Sequence, residues 1–416
     1  MHFHIKLYIT FKATVLLFFS FLFYEKGNSQ IIDSTHLNCK PIHIDSTAET
    51  DLIDIYNLAL GKYYNDHNVH HKHKTGRTHF SFIPVFGYSL QTGFAFDVAA
   101  NAAFYTSNRE DANLSSITAN IALTQYKQLI LPVQTNLWSK NNEYNFVGDW
   151  RYLIYPQATY GLGIITSFNQ PDTVSFYYIR FYEVGYKKIL KDFYLGLGYN
   201  LDYHWNIIEF NNQLDQFGVS KLNNQISSGV SFNVLFDDRR NSINPQKGNY
   251  FNCVLRQNLT AIGSGSNWQS LMVDVRKYIP LTSNHNQIIA LWSYNYFTLN
   301  GDPPYFDKPS TGSDMYSNSG RGYIPGRYRG NDLMYVESEY RFTLSKNKFF
   351  GGVIFANAQT VTELNTNKFS SVAPGVGAGL RIKINKHSNT NIAIDYGWGV
   401  NGTNSQGVFV NLGEVF

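Results

Sequence analysis

The chain has 416 residues, and its aromatic side chains (16%) slightly outnumber its charged ones (15%). Ordinary soluble domains carry about 25% charged residues. Its mean hydropathy of −0.27 excludes a bundle of membrane helices, and a net charge of +4 spread along the chain is too weak and diffuse to argue for nucleic acid. What remains is a composition rich in Tyr (30), Phe (31) and Gly (32) and poor in Pro (12), as expected of strands that put an apolar residue toward lipid and a polar one toward water in alternation.

Residues 1–29 read as an export signal. Lys6 and Lys12 give a basic start, Ala13 to Tyr24 form an apolar run, and Gly27-Asn28-Ser29 supplies a small-x-small cleavage site before Gln30. The alternative, an N-terminal membrane anchor, meets a run too short to span. No later stretch reaches the roughly 18 continuous apolar residues of a spanning helix. An exported, membrane-integral chain must then satisfy its backbone by closing a barrel.

Residues 30–78 read as a polar periplasmic leader. Leu52, Ile55, Tyr56, Ala59 and Leu60 have helical spacing, ended by Gly61, which suggests a short plug or a helix against the barrel mouth. His67, His70, His71, His73 and His79 form a tract of the kind that can bind Zn or Ni. They lack nearby Cys and ordered ligand spacing, so a solvated linker is expected, with no metal and no cofactor. Cys39 and Cys253 lie in regions of different character, and Cys253 is expected to pack as a small apolar residue beside Phe251 and Leu255.

From residue 79 onward the chain alternates. In one segment Leu222, Asn224, Ile226, Ser228, Val230, Phe232, Val234 and Phe236 share a face, and Asn223, Gln225, Ser227, Gly229, Ser231 and Asn233 share the other. Near the end, Val376, Ala378, Leu380, Ile382 and Ile384 oppose Gly377, Gly379, Arg381, Lys383 and Asn385. The period predicts strands at 79–88, 91–105, 114–126, 128–139, 142–154, 173–188, 192–206, 222–236, 248–260, 267–279, 286–299, 330–343, 348–361, 374–385, 389–400 and 406–416. The fold class is therefore all-β: a 16-stranded antiparallel transmembrane barrel over 79–416. Long loops at 155–172, 207–221 and 300–329 are expected outside the cell, and short turns such as Thr282–His285 and His387-Ser388 in the periplasm. The last strand places Val408, Val410, Leu412 and Phe416 on one face, with Gly413 between, in the pattern of an outer-membrane insertion signal.

Three segments together resemble the BamA/TamA outer-membrane assembly superfamily, the bacterial surface-antigen barrels, over roughly residues 79–416. Asp237-Asp238-Arg239 through Pro245 to Gly248 is similar to the family's D-x-R-x(n)-P-x-x-G turn, and an Asp238/Arg239 pair could cross-link it. Arg321-Gly322-Tyr323 is similar to the R-G-[FY] tip of the family's sixth extracellular loop, which folds back into the lumen, and Gly326-Arg327-Tyr328-Arg329 continues in that style. Gly377 to Arg381 and Asn391 to Gly397 resemble its final hairpins. The resemblance makes Glu337, Glu339 and Arg381 candidate lumen partners of the loop, with Glu339 the first choice for Arg321. Where the family often has F-x-D-x-G, this chain has Phe355-Ala356-Asn357-Ala358-Gln359. Asn357 offers a hydrogen bond but no charge, so the expectation is a weaker Arg321 contact, or one shifted to Glu339. The family's assembly factors also carry POTRA modules, and the leader shows no such pattern.

The resemblance implies a Gram-negative outer-membrane protein among lipids. It implies assembly or translocation of outer-membrane protein clients through a seam between first and last strands, which Gly407 and Gly413 would weaken. The competing reading is a passive pore or a structural subunit of an outer-membrane complex. A barrel enzyme would need an acid–base or Ser-His pair at a rim. His204 with Asp202 is the one pair worth naming and no activated serine accompanies it, so no enzyme activity is expected.

Overall fold

A computed structural model describes residues 49–59, 78–89, 91–107, 112–166, 171–211, 223–239, 241–386, 388–400 and 405–416. The export signal, most of the leader, Cys39 and the His tract up to His73 lie outside the described residues. Among the described residues one short helix, α1 (Leu52–Ala59), precedes the strands. The first eight are β1 (Thr78–Ser89), β2 (Gly93–Phe104), β3 (Ser115–Thr124), β4 (Leu129–Trp138), β5 (Tyr144–Ile154), β6 (Gln157–Thr159), β7 (Asp172–Leu190) and β8 (Phe193–Glu209). There follow β9 (Gln225–Asp237), β10 (Gly248–Asn258), β11 (Trp268–Pro280), β12 (Gln287–Asn300) and β13 (Leu333–Thr343). The last are β14 (Phe350–Val361), β15 (Ala373–Asn385), β16 (Thr390–Gly399) and β17 (Gln406–Leu412).

Apart from β5 and β6, each strand pairs antiparallel with its neighbour in sequence, in one meander from β1 to β17. β5 and β6 pair in succession with the same strand, β7. They are one stave interrupted at Tyr155-Pro156, so the sheet has sixteen staves. The period-two reading placed these correctly, with β6 as an unforeseen extension into the 155–172 loop. The β1 and β17 edges approach one another, but among the described residues no ladder joins them.

The alternation holds in three dimensions. On β9, Val230 and Phe232 are exposed while Ser227, Ser231 and Asn233 are buried. On β15, Val376 and Leu380 are exposed while Arg381 and Lys383 are buried. In water this would be inside-out; in a bilayer it puts apolar surface on lipid and polar surface in the lumen. Cys253 on β10 is half-buried and free. Leu197, the fifth of the seventeen residues of β8, is the most exposed large apolar residue on the described strands at 73%, between Gly185 and Phe232. Leu197→Arg should cost about 2–4 kcal/mol where such a site lies near the bilayer midplane. Refolding into vesicles, scored by the heat-sensitive gel mobility of the folded barrel, should show a reduced folded yield. An unchanged yield would contradict lipid exposure of this face.

The two ends of the barrel differ. One gathers the tight connections at 191–192, 281–286, 344–349 and 386–389, and α1 docks there through Lys386, whose backbone N–H donates to Asp51 (2.9 Å) and whose Nζ pairs with Asp54 (3.0 Å). The longer turn at 238–247 folds across this end. Asn241 Nδ2 donates to the Ser388 carbonyl (2.8 Å) and Asn244 Nδ2 to the Asn389 carbonyl (2.9 Å). The other end carries the connections at 160–171, 210–224 and 301–332.

Two expectations are corrected here. In the turn, Arg239 pairs with Asp237 (2.8 Å) and lies over the Tyr250 ring (4.2 Å), not with Asp238. Asp238 instead accepts from Asn249, directly beside Gly248, which takes a positive φ of 112°. An acid two residues before Arg239 projects from the same side of the extended chain, whereas its immediate neighbour projects from the other. Pro245 occupies the same turn. The second correction concerns the C-terminal residues. Val408, Val410 and Leu412 face outward, but Phe416 is buried. β17 stops at Leu412, Gly413 adopts φ 95°, and Glu414 N–H donates to the Ile243 carbonyl (2.8 Å), so Val415 and Phe416 turn inward. Strand parity cannot be carried through a left-handed residue.

Candidate functional site: an arginine-tipped loop in the lumen

The connection at 301–332 does not project outward; it enters the barrel, and its tip is Arg321, which is fully buried. Four neighbouring strands build the seat. Their inward positions are Tyr335, Glu337, Glu339 and Arg341 on β13, Phe355, Asn357 and Gln359 on β14, Arg381 on β15, and Ala393 and Asp395 on β16. The registers put Glu337 opposite Asn357, Glu339 opposite Phe355, and Gly379 opposite Asp395.

Arg321 uses its whole fork. Nη2 pairs with both Glu337 and Glu339, Nη1 pairs with Asp395 (2.6 Å), and the guanidinium carbon lies 3.7 Å from the centre of the Phe355 ring. A planar cation with donors on separate nitrogens suits three carboxylates from two directions. Burial acts against the charge, yet Glu337, Glu339 and Asp395 outweigh it and hold Arg321 well above the usual guanidinium range. The carboxylates have further partners. Arg341 Nε donates to Glu339 (2.6 Å), Arg381 donates to Asp395 (2.5 Å) and Glu414 (2.7 Å), and Tyr335 donates to Glu337. Three guanidiniums and four carboxylates thus form one buried network.

The loop backbone is seated as closely as its side chain. Asn357 Nδ2 donates to the Arg321 carbonyl (2.9 Å) and to Glu337 (3.3 Å). Tyr323 donates to the Pro374 carbonyl (2.6 Å). Gly322 has φ 106° and rests against β16, where a Cβ on Gly397 would stand 2.7 Å from the Gly322 nitrogen. The tip lies in a groove kept open by missing side chains.

Of the two expectations, a weaker contact or one shifted to Glu339, the structure agrees with the second, and Glu337 and Asp395 join it. Asn357 secures backbone, and the charge that β14 lacks comes from β16 through Asp395. Glu337 and Glu339 both reach Arg321, while Arg381 acts one step away, through Asp395. Asp395, Glu414 and the Gly397 groove escaped the sequence reading as loop partners. The available signal was that Asp395 shares its face with Gly397 and sits opposite Gly379, small residues that leave room for an incoming chain.

The remainder of the loop is pinned to other walls. On β4 and β5, Gln134 (3.0 Å) and Arg151 (2.5 Å) donate to the Met315 carbonyl. Near β8 and β9, Phe306 N–H donates to Gln225 (3.2 Å) and Ser227 donates to Asp307 (2.5 Å). Arg329 folds back onto the carbonyls of Tyr305, Phe306 and Lys308 at 3.0–3.2 Å. The loop crosses the lumen.

Asp202 and His204, the acid and imidazole singled out in the sequence, each engage other partners. Asp202 accepts from Arg256 (2.7 Å), Tyr178 (2.5 Å) and Tyr182 (2.5 Å). His204 is stacked on Tyr178 (4.1 Å) and Phe306 (5.1 Å), and its nearest acid is Asp307 at 3.8 Å. His204 belongs to the seat of the loop through Phe306 and Asp307. Among the described residues no group of His, Cys, Asp and Glu could hold a metal.

Phe416 closes the network from below. It stacks on Trp292 (5.0 Å), and its carbonyl accepts from Arg341 (3.1 Å). Phe416→Ala should destabilise the barrel by about 3–5 kcal/mol, the cost of deleting a buried aromatic ring. Urea titration of the refolded protein checks this; a midpoint unchanged from the parent would mean the ring is not packed inside.

A family model described as the Omp85 superfamily domain matches residues 97–416. No functionally curated protein matches. Among solved structures the chain is similar to BamA from Haemophilus ducreyi lacking POTRA domains 1–3, at 15% identity and a TM-score of 0.51, over 81% of this chain and 69% of that one. It is also similar to CdiB from Acinetobacter baumannii (13% identity, TM-score 0.53, 80% of this chain and 59% of that one). CdiB from Escherichia coli gives 12% identity and a TM-score of 0.53, over 80% of this chain and 62% of that one. At these identities the likeness is one of fold, and the chain spans about three fifths of the CdiB chains.

Proposed function

Because the chain belongs to the Omp85 superfamily, we propose that this outer-membrane barrel acts in the assembly or translocation of other outer-membrane proteins, with the seam between β1 and β17 as the working edge. One observation carries the reading. Among the described residues the hydrogen-bonded ladder runs unbroken from β1 to β17 and does not continue from β17 to β1. Unpaired strand edges are templates for another chain's strands. β17 is short, seven residues against twelve in β1, because Gly413 turns the chain away after Leu412. Part of the β1 edge therefore has no counterpart.

The loop weighs against the passive-pore reading. Anchors on β4, β5, β9 and β13–β16 hold it across the lumen, and the 238–247 turn lies across the opposite mouth. Single-channel recordings should show low, flickering conductance; large steady openings would favour the pore. We read the chain as non-enzymatic, since the Asp202 carboxylate is occupied by Arg256 and two tyrosines. For the assembly reading, depletion of the protein from cells should lower the amounts of other outer-membrane barrels. Unchanged amounts would sink it.

A further inference from the structure

The mouth ringed by short turns contains a cavity of about 400 Å³. Its charged lining is Arg341, Arg381, Lys348, Lys383 and Lys386, with Glu49 and Glu414; the arginines are paired with Glu339, Asp395 and Glu414 and Lys386 with Asp54, so Lys348 and Lys383 carry the positive charge left to the cavity beside Glu49. Glu414 is engaged by Arg381 (2.7 Å) and Asn391 (2.9 Å). Glu49 is held loosely, 3.9 Å from Lys348 Nζ and 4.0 Å from Lys383 Nζ, with its side chain 41% exposed. Arg341 is more than nine-tenths buried, and its Nη1 has no hydrogen-bond partner. A buried guanidinium nitrogen without an acceptor is costly unless an anion arrives to meet it.

We propose that this cavity binds the carboxylate of an acidic polypeptide segment, in competition with Glu49. The chain's own leader shows the chemistry that fits. Thr50 N–H donates to the Asn347 carbonyl (3.0 Å), Asp51 accepts from Lys386 N–H (2.9 Å), and Asp54 pairs with Lys386 Nζ (3.0 Å), so an acidic stretch already lies along this rim. Ile288, Phe349, Gly351 and Gly352 also line the cavity, which suits a peptide with apolar neighbours better than a bare ion. Loosely held Glu49 is the internal occupant that an incoming carboxylate displaces. The inference deepens the assembly reading by giving the partner a chemistry, and rests on it for the source of the segment.

The test uses the purified full chain in detergent and a fluorescent Glu/Asp-rich decapeptide, with its Gln/Asn counterpart as control and inorganic phosphate as competitor. The acidic peptide should bind at least roughly tenfold tighter than the neutral one, and less tightly as salt rises. Glu49→Gln, which removes an exposed competing ion pair, should tighten binding roughly two- to fivefold. Lys348→Glu, on a half-exposed turn, should weaken it about tenfold without moving the unfolding temperature; Lys383→Gln is the second variant should Lys348→Glu not fold. Equal binding of both peptides, indifference to Glu49→Gln or to the lysine variants, or complete displacement by phosphate at the same charge concentration would overturn the proposal. Such a failure leaves the depletion result untouched, and unchanged barrel levels on depletion would leave peptide binding intact.

Discussion

Arg321→Ala is expected to lower the stability of the barrel by about 3–5 kcal/mol, the usual penalty for removing one partner from a buried ionic cluster. The loss is not the worth of the ion pairs themselves, since buried pairs roughly break even against desolvation. It arises because Glu337, Glu339 and Asp395 are left facing one another with fewer cations in a fully buried site. Arg321→Lys should fall between the parent and the alanine variant, because one ammonium cannot reach Asp395 and the β13 glutamates by separate nitrogens. Both variants can be followed by the temperature at which the folded form disappears from unheated gels. The alanine variant should also show raised single-channel conductance, as the loop loses its deepest anchor. Parental stability and parental conductance together would mean that the loop does not depend on its tip.

Gly397→Ala should produce much of the same phenotype with every charge retained. A Cβ there would stand 2.7 Å from the Gly322 nitrogen and 3.1 Å from the Arg321 carbonyl carbon, both backbone atoms with little freedom to give. Moving the tip away from β16 stretches the Arg321–Asp395 contact of 2.6 Å. A methyl group in a filled groove typically costs about 1–3 kcal/mol. Proteolysis of the loop in purified protein gives a direct readout, with faster cleavage between residues 301 and 332 than in the parent. The comparison with Arg321→Ala separates shape from charge: if only the arginine variant loosens the loop, the glycine groove is incidental.

The staves could be read from the chain because their physics is local. Lipid on one side and water on the other impose a two-residue period, and each strand's partner is simply the next one along. The loop tip was legible through Arg321-Gly322-Tyr323 and the paired glutamates of β13. What escaped depends on register across several strands. Asp395 meets Arg321 only because β13 to β16 lie side by side; its shared face with Gly397 marks room for a chain but does not name the partner. The anchors at the Met315, Tyr305 and Phe306 carbonyls use backbone, which carries no residue signature. Phe416 was misplaced because its parity was counted through Gly413, and Arg239 was given the wrong one of two adjacent acids. Tyr155-Pro156 hid the continuation of β5 into β6.

The order in which the loop meets its partners has a consequence for how the molecule is built. Its contacts with Gln134, Arg151, Gln225 and Ser227 involve residues that precede it in the chain, whereas Glu337, Glu339, Asn357 and Asp395 all come after it. Closing a loop to residues already in place costs little beyond chain entropy, so the early anchors can engage while the final strands are still unformed. Arg321 meets its first carboxylates on β13, while its Nη1 gains a partner only when β16 brings Asp395. The last hairpins therefore close around a fork still open on one side, which ties completion of the wall to the seating of the plug.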